Sequence, residues 1–102
     1  MKYNLNTLLT KEKLGIHCRN RYEDKQLRVL LDKHKLRWIS GDSFLSEGYE
    51  MHGDKRTLFP GDGKQGLDNP EEYIRIGYDI VYFHEIKHIL KAGEFHMQEF
   101  EV

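Results

Sequence analysis

The chain has 102 residues, 38% of them hydrophobic, and its 16 Lys+Arg against 17 Asp+Glu give a formal net charge of −1. That length fits one small domain of ~100–150 residues with one modest core, which excludes two domains and disfavours the deep cleft of a large multi-step enzyme. The charge balance excludes both a global basic field for nucleic acid and the acidic surface of a nucleic-acid mimic.

In chain order, Leu14-Gly15-Ile16-His17-Cys18 alternates apolar positions and reads as the first strand. Cys18 is the single cysteine, so there is no internal disulfide; no apolar leader with a cleavage site and no apolar run near ~20 residues is visible. A reducing cytoplasm and no membrane are the expected setting. Asn20 followed three residues on by Glu23 forms a capping pair that starts a helix over Tyr22 to Arg37. Leu27, Leu30, Leu31, His34 and Trp38 then share one stripe facing a core, while Lys25, Arg28, Asp32 and Lys35 face water. Glu23 and Asp24 near its start and Lys33, Lys35 and Arg37 near its end match the helix dipole.

After a short extended piece broken at Gly41, Lys55 to Phe59 is a weaker strand candidate. Pro60 to Pro70 combines glycines, prolines and turn formers and is expected to be an irregular, mobile loop. Asn69-Pro70-Glu71-Glu72 looks like a cap with proline at the first helical position, giving a single turn that Gly77 stops. Tyr78 to Ile86 is expected as a central strand, with Ile80 and Tyr82 on one face and Val81 and Phe83 on the other. The segment 87–102 is a C-terminal extension, whose Glu94 to Val102 alternates as an edge strand would. The sum is one α+β domain over residues 1–102 with its core in 14–86: one main amphipathic helix packed on a small, mostly antiparallel sheet. Leu27, Leu30, Leu31, Trp38, Ile80, Tyr82 and Phe83 form much of that core.

The sharpest chemical motif is His84-Glu85-Ile86-Lys87-His88, which fits H-E-x-x-H, where two histidines one helical turn apart bind zinc and the glutamate activates water. The motif works only on a helix, and the strand-like Asp79 to Phe83 before it argues against one. A helix over His88 to Gly93, stopped by Gly93, argues for one. A third ligand would have to be Glu94 or His96. Gly41-Asp42-Ser43 is similar to the nucleophile block of one family of lipases and esterases, but no downstream Asp-x-x-His follows, so Ser43 reads as a turn residue. Gly61-Asp62-Gly63-Lys64 lacks the first glycine and the Ser/Thr of a phosphate-binding loop. Candidate binding residues are Arg19 and Arg21, which lie beside Tyr22, and Lys55, Arg56, Asp62 and Lys64 in and around the 60–70 loop, where a nucleotide is the alternative ligand. Surplus aromatics, among them Tyr3, Tyr49, Tyr73, Tyr78 and Phe100, suit a protein-binding surface.

Gly15-Ile16-His17-Cys18, the helix from Glu23 to Leu36, Trp38-Ile39-Ser40-Gly41, Glu72-Tyr73 and Gly77-Tyr78-Asp79-Ile80-Val81-Tyr82-Phe83 follow one another in an order that resembles small uncharacterised proteins of bacteriophages and prophages. The resemblance covers roughly residues 10–86 and transfers no catalytic residue. It implies a strand over Tyr78 to Glu85 and a small accessory protein acting in a bacterial host. The expected function is non-catalytic: binding, and inhibiting, a host protein such as a bacterial defence effector, in the manner of an anti-CRISPR protein, with no cofactor. The alternatives are a zinc-dependent hydrolase using His84, Glu85 and His88, and a nucleotide-sequestering protein.

Overall fold

The computed structural model describes the backbone of residues 3–46, 56–66 and 69–100, and the side chains of 3–45, 57–66 and 69–91. In chain order the elements are α1 (Leu5–Thr10), β1 (Leu14–Cys18), α2 (Arg21–Lys33), a 3-10 turn (Phe44–Ser46), β2 (Arg56–Phe59), β3 (Lys64–Gly66), α3 (Pro70–Arg75), β4 (Asp79–Tyr82) and α4 (Phe83–Phe100). The strands form one sheet in the order β3-β2-β1-β4. Two of its pairings are antiparallel and one, β1 with β4, is parallel. This is an α+β fold in which α4 joins α2 as a second long helix.

The core lies on one face of the sheet, because alternate residues of a strand point the same way. Leu14, Ile16 and Cys18 of β1, Leu58 of β2 and Val81 of β4 meet Leu27, Leu30 and Leu31 of α2, Phe83, Ile86 and Leu90 of α4, and Leu8 of α1. The opposite face carries an aromatic layer in which Phe59 packs edge-on to Tyr73 and Tyr78. Ile80 and Tyr82 belong to this second, half-buried face, and Trp38 packs only partly against the main core. All five residues of β1 are therefore buried. Gly15 is needed there, since a Cβ would come within 2.6 Å of Phe59 and Thr57 side-chain atoms.

The start of α2 follows the expectation: the Asn20 side chain accepts from the Glu23 backbone N–H at 2.9 Å. Its end does not. The helix stops at Lys33, four residues before Arg37. Lys35 adopts φ 67°, its N–H reaches the Asp32 carbonyl, and the Leu36 N–H reaches the Leu31 carbonyl, which together close a Schellman turn. Glycine normally fills that position, so a lysine there hides the stop. Arg28, expected to face water, is only 1% exposed. Its Nε donates to Asp24 at 2.8 Å, one terminal nitrogen to the Phe44 carbonyl at 3.0 Å, and the other to the Gln65 side chain at 2.7 Å. Its guanidinium carbon lies 5.1 Å from the Trp38 ring centroid.

Further along, the expected irregular loop 60–70 holds a turn and β3, so that β2 and β3 form a hairpin. Gly63 sits in that turn at φ 67°, where a Cβ would fall 2.6 Å from the Ile39 backbone nitrogen. The central strand expected over Tyr78 to Ile86 is shorter and lies at the edge of the described sheet: β4 ends at Tyr82 and α4 begins at once with Phe83. Phe83, Ile86 and Leu90 repeat at helical spacing and bury against α2 and the sheet, and that packing overrides the strand preference of the local sequence. The tail, expected as an edge strand, continues as helix to Phe100. The helix α1, absent from the sequence reading, is capped by Asn4, whose side chain accepts from the Thr7 N–H at 2.9 Å.

Two stability measurements test these assignments. Arg28→Ala, which removes three hydrogen bonds from a buried charge network, is expected to cost about 3–5 kcal/mol in urea unfolding, whereas Arg37→Ala at its exposed 3.6 Å pair with Asp32 should cost under about 1 kcal/mol. Lys35→Gly should raise stability by roughly 1 kcal/mol by relieving the left-handed lysine, measured as a higher thermal midpoint.

Candidate functional site

Three surfaces bring the candidate residues together. The first is the start of α4. Because the helix begins at Phe83, His84 and His88 stand one turn apart, the geometry that H-E-x-x-H requires. Both histidines and Glu85 are exposed, since Phe83, Ile86 and Leu90 take the buried side of the helix. The His84 ring packs edge-on to Tyr82 at 5.9 Å and borders a cleft of about 400 Å³ between the starts of α2 and α4 that Arg19, Glu23 and Lys87 also line. Glu94 and His96, the expected third ligands, have side chains outside the described residues, and among the described residues no group of three His, Cys, Asp or Glu is placed to hold a metal ion.

Glu23 organises this corner. Its carboxylate accepts from the Arg19 backbone N–H at 2.8 Å and from the Arg19 Nε at 3.0 Å. Burial alone would push the Glu23 carboxyl up, but the bonds and the charge of Arg19 outweigh it and hold the group below its ordinary value of 4.5. Arg19 is thus committed to Glu23, and Arg21, expected beside it, opens α2 as an exposed first residue.

The second surface is the β2–β3 turn. Asp62 and Lys64 line a cleft of about 480 Å³ with Glu12, Arg37 and Ile39. Asp62 accepts from the Lys13 backbone N–H at 3.1 Å. Arg56 pairs by its backbone with Cys18, at the other end of the hairpin, so the structure does not gather Arg19, Arg21 and Arg56 with Asp62 and Lys64. The Arg56 side chain and all of Lys55 lie outside the described residues. Ser43, read as a turn residue, donates to Asp32 at 2.8 Å and accepts from the Leu45 N–H, which is a structural use of its hydroxyl. Cys18 is fully buried in the core.

The third surface was not anticipated. Tyr22, Lys25, Gln26, Val29, Leu30 and Lys33 of α2 and Lys91 of α4 line a groove of about 430 Å³. Tyr22 is 72% exposed at its end. The floor is apolar, three lysines rim it, and among the described residues no acid lines it. Its signal in the sequence is a second stripe on α2, at Tyr22, Gln26, Val29 and Lys33, which runs beside the core stripe and mixes apolar and basic residues.

No family model, curated protein or solved structure matches the chain. Among the described residues no helix is long and apolar enough to cross a membrane.

The Glu23 arrangement has a defined pH signature. A carboxyl held low in the folded state contributes stability that is present above 4.5 and is lost as pH falls through the lowered value. The stability difference between the native protein and Glu23→Gln should therefore be full near neutrality and shrink steadily below that pH in chemical unfolding series.

Proposed function

We propose that this is a non-catalytic binding domain that engages an acidic amphipathic segment of a host protein along the α2–α4 groove. The observation that carries the reading is the combination of an apolar floor at Val29 and Leu30, an exposed aromatic anchor at Tyr22, and a rim of Lys25, Lys33 and Lys91, with no acid lining the groove among the described residues. An amphipathic helix lays apolar residues at helical spacing into such a groove, and acidic residues on its flanks meet the lysines. Aromatic anchors of this kind concentrate binding energy.

The resemblance to bacteriophage and prophage proteins supports a bacterial host as the source of that segment, and a defence effector blocked by the bound domain as its owner. The other two readings have less behind them. A nucleotide at the β2–β3 turn would meet Glu12 and Asp62 as well as Arg37 and Lys64, a balance of charge that gives phosphates no net attraction. A hydrolase at His84, Glu85 and His88 requires a third ligand and walls that exclude water, whereas these three side chains stand exposed.

Affinity capture from a bacterial lysate with the native chain and with a Tyr22→Ala, Lys25→Glu, Lys33→Glu variant tests the proposal. All three positions are exposed, so circular dichroism should be unchanged. A protein retained by the native chain and lost from the variant is the expected result. Equal retention by both, or nothing retained above a control by the native chain, overturns it.

A further inference from the structure

We propose that His84 and His88 form an open two-histidine site for a borderline divalent cation such as Zn(II) or Ni(II), whose remaining ligands are water molecules. The site is independent of the α2–α4 groove. Residues four apart on a helix carry Cβ atoms about 5–6 Å apart, close enough for two imidazoles to share one ion. Imidazole suits Zn(II) and Ni(II), and the neutral ring offers a lone pair once it is free of other partners.

The availability of these two rings sets them apart. Of the four histidines with described side chains, His17 is buried with its Nδ1 at 2.9 Å from the Thr57 hydroxyl, and the His34 ring meets the Leu90 carbonyl at 3.2 Å. His84 and His88 are exposed and make no hydrogen bond among the described residues. The edge contact with Tyr82 limits the freedom of the His84 ring. The Lys87 ammonium on this side of α4 is drawn over the Phe83 ring, 6.0 Å from its centroid. The arrangement provides two protein ligands on a solvated surface, a place for an ion to be held or bridged to a partner, with no demand that Glu85 act as a base.

The test uses the full chain without a polyhistidine tag. Isothermal titration with Zn(II) should give one saturable ion per chain, and substoichiometric Ni(II) should broaden the ring proton resonances of His84 and His88 ahead of those of His17 and His34. His84→Ala and His88→Ala, both at exposed positions, should each remove the saturable uptake, while Glu85→Gln should leave it in place. No saturable uptake by the native chain at millimolar metal overturns the proposal, and so does uptake that persists in the His84→Ala, His88→Ala double variant or broadening that ignores these two rings.

Discussion

A single buried guanidinium holds the polar half of this molecule together. Arg28 leaves α2 on the side facing the sheet, pairs with Asp24 one turn back, and reaches the Phe44 carbonyl and the Gln65 side chain. Moving such a group out of water is expensive unless its donors are satisfied, and here the partners come from three separate stretches of chain. The 3-10 turn and β3 are thereby tied to the same helix, with the Trp38 ring lying against the guanidinium and tilted onto Phe44 at 4.3 Å. An apolar side chain in place of Arg28 would fill the volume, yet it would give no directional reason for Gln65 and Phe44 to converge.

That anchoring leaves the sheet with two different faces. The face toward α2 and α4 is a conventional aliphatic core, and the other is a half-buried layer of Phe59, Tyr73 and Tyr78 bordered by His17 and Thr57. With β1 buried on both sides, a chain of this length has used its interior on folding. The outward sides of the two long helices are among the surfaces left for function. Both candidate sites lie there, the lysine-rimmed groove along α2 and the histidine pair at the start of α4, and both depend on α4 beginning directly after β4.

How much was readable varies by element with the range of the forces involved. The start of α2 was legible because Asn20 caps it within one turn, and the short helix at Pro70 was legible from proline at its first position, although the cap expected at Asn69 makes no side-chain hydrogen bond. The end of α2 was not, since Lys35 occupies a left-handed position without the glycine that would announce it. The α4 boundary was misread because Asp79 to Phe83 alternates as strands do, while the helical repeat of Phe83, Ile86 and Leu90 gains its meaning from contact with α2. The histidine motif is visible as a pattern, whereas the α2 groove is not, because three of its seven lining residues are lysines that look solvated when read one at a time.

Composition, spacing and capping by themselves determined an α+β class, the first strand, the amphipathic stripe of α2 and the presence of the His84 and His88 pattern, because each is set by residues a few positions apart. Tertiary structure alone decided that Arg28 is inside, that β4 lies beside β1 at an edge of the described sheet, and that residues 83–100 are helical. Those outcomes hinge on contacts between segments tens of residues apart, where burying Phe83 and Leu90 and satisfying one guanidinium outweigh the local preferences of the chain.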